Sequence, residues 1–442
     1  MQEWLFAKAA DLGRGIGAGK IDPVDLAECY LEAAANHPDA ARIYARTAPD
    51  RTLSEAAAAR SRAQSSARLG PLDGVPVSWK DLIDSKDIAT EAGTALMEGR
   101  TPSADAPVLA QGTSSGLVFM GKTHLSEIAF SGLGYNPITA TPPNINGPDL
   151  VPGGSSSGAA ASLAYGLAAG AIGSDTGGSI RLPAAWNGLV GFKPAHGAHP
   201  LEGIVPLCRR FDTIGPLARS VEDAALLDAA LGGAPVDLAG ASLHGTRLAV
   251  MDTVVGEGLE PAVSMAFEQA LDRLARAGAQ ITRIALPEVA AAYPLAALLY
   301  APEAWAYWRD YITPAPHKMF DQIYERISAG QQVAAPDYIA AWDELHALRR
   351  TYASATAGYD AILCPAAPIT APSISRLTSD SAYYKQVNLQ ALRNTRLANL
   401  FGLASVNLPL DQPMTGLLLN ALPAQQGALL RLAKAAEAAL AT

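Results

Sequence analysis

Apolar and polar positions alternate along the chain in two different periods. The first third reads as helical. Asp22-Pro23 supplies an N-cap and a first-turn proline, with Asp25 three residues after the cap. A helix is expected from Val24 to Ala35, and an alanine-rich one over about Leu53 to Arg68. The period then drops to two. In GPLDGVPVSWKDLID, alternation puts Ser78 and Lys80 on one face of a short strand, with Val77 and Trp79 on the other. LVFMG, Leu117 to Gly121, is a continuous apolar run of strand length. Further on, RLAVMD (Arg247 to Asp252), a helix from about Pro261 to Ala277 and the strand QITRIAL make a βαβ unit, with Gly278 as the helix C-terminal cap. Parallel pairing in at least part of a sheet follows. From Tyr293 to about Ala353 the pattern is helical and carries most of the Trp and Tyr. Strands are expected at Ala361 to Cys364, Ser405 to Leu408 and Gly416 to Ala421, before a closing helix from Gln425 to Ala439. No repeat, low-complexity linker or clear domain boundary interrupts the 442 residues.

Composition narrows the function classes. About half the residues are apolar and only 17% charged, enough for a sizeable core, and the net charge of -9 offers no basic face for nucleic acid. Cys29, Cys208 and Cys364 lie far apart with no CxxC spacing, which fits packing residues in a reducing compartment. The seven histidines are scattered, so neither a metal nor a cofactor is called for. The N-terminus mixes Glu3, Lys8 and Asp11 among its apolar residues, unlike a secretory signal, and a cytoplasmic location is expected. The low-charge run Ser155 to Ser174 approaches membrane-span length but is pinned between two glycine-serine loops. A buried helix is expected there.

Those loops carry the chemistry. GSDTGGSIRLPA, Gly173 to Ala184, concentrates backbone freedom and donors directly after the apolar run. Phosphate binding would need GxxxxGK[ST] or GxGxxG opening a helix, and neither is present. Acyl transfer needs a nucleophile, a base and backbone donors aimed at a developing oxyanion. Thr176-Gly177-Gly178-Ser179 can turn consecutive N–H groups inward, with Ser179 as both a donor and the hydroxyl nucleophile. No histidine lies in either loop. The base is a histidine remote in sequence or Lys80, whose amine loses its charge when desolvated.

GGSSSG (Gly153 to Gly158) followed by DTGGSIRLPA, with the upstream lysine of PVSWKD, resembles the amidase signature family. The similarity is dense from Gly70 to about Leu227, through GKTHLSEIAF, GLVGFKPAHG and DTIGPLARSVEDAALL. It is thinner through DAILCPAAPITAP and NLFGLASVNLPL. The resemblance implies an α/β fold over residues 1–442, a single large domain with a mixed, many-stranded sheet covered by helices on both faces. It places the signature core at about 70–230 and a more variable helical, substrate-side region at about 290–355. By position it implies Ser179 as nucleophile, Ser155 as a bridging serine after a cis peptide bond, and Lys80 as terminal base. The N–H groups of Thr176, Gly177, Gly178 and Ser179 would bind the oxyanion, and Ala129 would present backbone to the substrate. Asp175 and Arg181 are expected to brace the loop, with Ser156 and Ser157 as donors inside it. Ser157 stands where the family usually has glycine, Ile145 where proline is common, and FKPAHG in place of FKPT; all three bear on the pocket and none on the triad.

The function implied is a free-standing amidohydrolase that cleaves a small or medium amide through an acyl-enzyme. Its partner would be the small-molecule amide, without nucleic acid or membrane, and a homodimer is compatible. Two alternatives stay open: the A subunit of a glutamyl-tRNA(Gln) amidotransferase, and a catalytically silent scaffold. Tyr135, Trp186, the aromatics of EAWAYWRDY (Glu303 to Tyr311, including Trp305) and Arg309 are candidates for the pocket wall, with core packing as the competing role.

Overall fold

The structure, a computed structural model, describes residues 2–441. In chain order its strands are β1 (Tyr44–Thr47), β2 (Pro76–Lys80), β3 (Val118–Thr123), β4 (Gly170–Asp175), β5 (Val190–Lys193), β6 (Thr213–Ala218), β7 (Arg247–Met251), β8 (Gln280–Ile284), β9 (Ala361–Pro365), β10 (Ala404–Pro409) and β11 (Gly416–Ala421). All belong to one sheet, ordered β1-β3-β2-β4-β6-β5-β10-β11-β9-β7-β8. The left end holds the parallel set β3-β2-β4, the right end the parallel set β9-β7-β8, and the centre is antiparallel. The sheet is therefore mixed, and the βαβ unit forms as its pattern predicts, with the helix Pro261–Arg276 between parallel β7 and β8.

Alternation in β2 shows why both faces are covered. Ser78 packs its hydroxyl 2.9 Å from that of Ser162, on the helix Ser157–Ala164. Trp79 points the other way, onto Gly112 of the helix Pro107–Ser114, where a Cβ would sit 2.9 Å from the indole. Neighbouring residues of one strand thus meet helices on opposite faces of the sheet.

The expected helices form with shifted ends. Asp22 caps Pro23–Asn36, its carboxylate accepting from the Val24 and Asp25 N–H groups. The alanine-rich helix runs Pro49–Gln64, earlier than expected, because Pro49 fits its first turn. The helical stretch after Tyr293 is three main helices, Pro287–Ile312, Asp321–Ser328 and Ala335–Thr356. One expectation fails. The run from Ser155 to Ser174 is not one buried helix but the short helix Ser157–Ala164, a turn at Gly166 with φ +71°, and strand β4. Small apolar residues suit a buried helix and a buried central strand equally, so hydropathy alone could not place the break.

Gly121 of β3 pairs with Thr47 of the antiparallel edge strand β1. Its φ is +149°, and a Cβ there would lie 2.5 Å from the Arg46 carbonyl oxygen and 2.8 Å from Thr47 Cα. Gly121→Ala is therefore expected to destabilise the protein by about 1–3 kcal/mol, read as a lowered urea midpoint with an unchanged slope.

Candidate active site

Two parallel neighbours, β2 and β4, end side by side, and their C-terminal ends build the site. Lys80 is the last residue of β2 and is fully buried. Its Nζ donates to Ser155 Oγ at 2.7 Å and to Ser174 Oγ, near the end of β4, at 2.8 Å. Burial pushes the Lys80 pKa down to about 7, against the pull of the Asp175 and Asp212 carboxylates, which favour the charged form. Ser155 precedes the helix Ser157–Ala164, and the peptide bond between Gly154 and Ser155 is cis. Its carbonyl accepts from the Ser126 N–H at 3.1 Å, while the next amide, Ser156 N–H, donates to the Ser179 carbonyl at 3.2 Å. The two glycine-serine loops are thus stitched together, with Ser179 only 5% exposed.

The loop after β4 takes its shape from Asp175. This buried carboxylate accepts from the Gly178 N–H at 2.8 Å, the Ile180 N–H at 3.1 Å, Asn399 Nδ2 at 2.8 Å, and Arg181 through Nη2 at 2.9 Å and Nε at 3.0 Å. Burial is the largest single influence and would raise its pKa, but the charge and hydrogen bonds of Arg181, with Lys193 and Asn399, together bring it down to about 2. Asp212 secures the other side, accepting from the Thr176 hydroxyl at 2.5 Å and from the Leu207 and Cys208 N–H groups. Asp175 and Arg181 brace the loop, as expected. Gly178, expected among the oxyanion donors, instead directs its N–H to Asp175. The Thr176, Gly177 and Ser179 N–H groups make no hydrogen bond among the described residues. Gly178 must still be glycine: at φ +135°, a Cβ would stand 2.0 Å from Thr395 Oγ1. Ser156 does act inside the loop, donating to the Ser174 carbonyl, while Ser157 turns to the His124 carbonyl.

Ser179, Thr176, Gly177 and Ala129 open onto a cavity of about 220 Å³. Ala129 lies there with φ +59°, beside Ile128 at +44°. The opposite wall comes from the helix Pro287–Ile312, which contributes Tyr293, Ala297 and Tyr300, and Arg326 and Arg396 complete it. Tyr300 donates to the Thr176 carbonyl at 3.1 Å and stacks on Phe211, so it helps set the loop as well as the wall.

The aromatic candidates lie elsewhere. Tyr135 and Trp186 pack in a separate apolar cluster with Leu182, Ile369 and Tyr384. Trp305 packs against the main core, and Arg309 is exposed with Asp310 as its nearest carboxylate, at 3.7 Å. The aromatic pattern points to the correct helix but to the wrong two turns of it. Tyr293 and Tyr300 are seven residues, almost two full turns, apart on one face, and that spacing is the signal that could have found them. Arg326 and Arg396 give no local signal, because only the tertiary fold brings them to Ser179.

A buried lysine within hydrogen-bond reach of one serine, with a second serine on a neighbouring glycine turn, brings together residue types that serine-based acyl transfer uses. A family model described as Amidase matches residues 25–422, and the chain belongs to that family. It is 35% identical over 367 residues to 2-amino-5-chloromuconic acid deaminase of Comamonas testosteroni, an alignment covering 81% of this chain and 79% of that one. It is 37% identical over 307 residues to the A subunit of glutamyl-tRNA(Gln) amidotransferase from Thermobifida fusca, covering 66% of this chain and 62% of that one. Among solved structures, native peptide amidase from Stenotrophomonas maltophilia superposes with a TM-score of 0.83 at 28% identity, over 99% of this chain and 97% of that one.

Arg181→Met would leave Asp175 buried without its counter-charge. The expected loss is about 3–5 kcal/mol, measured by chemical denaturation; a loss below about 1 kcal/mol, the range of a surface pair, would show that the pair does not hold the loop.

Proposed function

We propose that the protein is a free-standing amidohydrolase that cleaves a small amide to acid and amine or ammonia through an acyl-enzyme on Ser179. The observation that carries this is the Lys80–Ser155 contact at 2.7 Å, made by an amine with a pKa near neutrality. Once uncharged, Lys80 presents a lone pair to the Ser155 hydroxyl and can take its proton. Ser155 in turn takes the proton from Ser179 as Oγ attacks the amide carbon. The oxygen that becomes negative is met by the uncommitted N–H groups of Gly177 and Ser179, with Thr176 beside them. The same relay returns the proton to the departing nitrogen, the C–N bond breaks, and water then hydrolyses the ester on Ser179. Gly178 keeps its place as a brace, holding the turn through Asp175. Likeness to a peptide amidase over nearly the whole chain supports work without a partner.

Likeness to the amidotransferase protein favours a second reading, in which the same site releases ammonia within a complex. Glutamine-dependent amidation of glutamyl-tRNA, seen only with copurified partner proteins, would establish it.

Ser179→Ala and Lys80→Ala are each expected to lower kcat/KM for amides by at least ~10³-fold with the far-ultraviolet circular dichroism unchanged. Ser179→Ala should also abolish labelling by a fluorophosphonate. Turnover near that of the parent in either folded variant would refute the assignment. In the unaltered enzyme, kcat/KM should rise with pH through about 7, as the Lys80 amine loses its proton. A profile flat through neutrality would remove Lys80 as the base.

A further inference from the structure

The cavity that holds Ser179 contains two positive charges that the hydrolytic steps do not use. Arg326 comes from the helix Asp321–Ser328 and Arg396 from the start of the helix Arg396–Leu400. Arg326 donates through Nη1 to the Phe130 carbonyl at 2.8 Å, and its guanidinium lies 4.3 Å from the centre of the Phe130 ring. Arg396 makes no side-chain hydrogen bond or ion pair among the described residues. Among the described residues, no Asp or Glu lines the cavity. The nearest carboxylate in sequence, Glu325, is taken by Lys385 at 2.7 Å. Burial, and then the neighbouring charge of Arg396, pull the Arg326 pKa down to about 10.

Arginines without a carboxylate elsewhere in this protein, such as Arg219 and Arg349, spend several donors on backbone carbonyls, and others are ion-paired. Arg181 is neutralised by Asp175, Arg62 by Asp73 and Arg100 by Asp84. Arg326 and Arg396 are only half-buried, but two guanidinium groups facing one cavity without a counter-charge repel each other, and an anion between them would relieve that. Each retains several N–H donors in the planar fork that suits a carboxylate. The rest of the wall is apolar, with Leu207, Pro294, Ala297 and Leu392. At about 220 Å³, the space is smaller than the ~300–1,000 Å³ of sites for drug-sized ligands.

We propose that Arg326 and Arg396 form a carboxylate subsite, so that the substrate is a small amide bearing a carboxylate group. This rests on the amidohydrolase reading of Ser179. The missing counter-ion is then supplied by the substrate itself, and charge selects the substrate before the amide reaches Ser179.

The test compares pairs that differ by that one charge. Succinamate against butyramide places the carboxylate on the acyl side, and N-acetylglycine against N-ethylacetamide places it on the leaving side. In at least one pair, kcat/KM is expected to favour the charged member by at least ~30-fold. That ratio should fall ~10- to 100-fold in Arg326→Met and in Arg396→Met, mainly through KM, with partial recovery in the lysine variants. No preference in either pair, or a preference that survives both methionine variants, overturns the proposal. Succinate binding to folded Ser179→Ala, followed by calorimetry, makes the test independent of turnover. Binding that is lost in Ser179→Ala/Arg326→Met supports the subsite even if no amide is cleaved, an outcome that would sink the hydrolase reading alone. No succinate binding, or tighter binding of inorganic phosphate than of succinate, overturns the carboxylate assignment.

Discussion

The site depends on taking one amine out of water. Lys80 ends a strand buried on both faces, and its Nζ is met by hydroxyls rather than by a carboxylate. Had Asp175 or Asp212 reached it directly, the ion pair would have kept the amine charged at neutral pH. Instead those carboxylates are committed elsewhere, Asp175 to Arg181 and two loop amides, Asp212 to Thr176 and the amides of Leu207 and Cys208. They act on Lys80 only from a distance, as a partial offset to desolvation.

The other buried lysines show what that arrangement avoids. Lys122 is equally enclosed, yet lies 3.4 Å from Asp81, and Arg46 joins the same carboxylate. It belongs to a network that ties β1 and β3 to the loop after β2. Lys193 spends its Nζ on the Pro194 carbonyl at 2.8 Å and has no hydroxyl chain before it. Depressed basicity is thus shared by Lys80, Lys122 and Lys193. What distinguishes Lys80 is the serine at 2.7 Å and its position behind the glycine turn.

Much of this was legible in the chain. The two-residue alternation of VSWK placed Ser78 and Lys80 on a common face, and the structure puts both against the segment that carries Ser155 and Ser162. Asp175 and Arg181 were readable as braces because they flank a glycine turn that needs fixing. Less visible were β4, β5 and β6, whose small residues give no alternation to distinguish strand from helix. Gly178 is easily misread for a related reason. Glycine at that point marks both an amide that must approach a ligand and a backbone that must clear a neighbour. Asp175 on its N–H and Thr395 against its α-carbon show that the second applies. The cavity wall was hidden further still, since Arg326 and Arg396 are distant in sequence from Ser179 and from each other.

Asp175 also binds Asn399, while its partner Arg181 donates to the Thr395 carbonyl at 2.7 Å and to Ser405 Oγ. The turn bearing Ser179 is therefore fastened to a segment made more than two hundred residues later. A ribosome-bound chain that has already extruded Lys80, Ser155 and Ser179 still lacks the clasp that sets their geometry. The order in which the chain emerges therefore matters: the turn at Ser179 can take its braced shape only once residues 395–405 have been made.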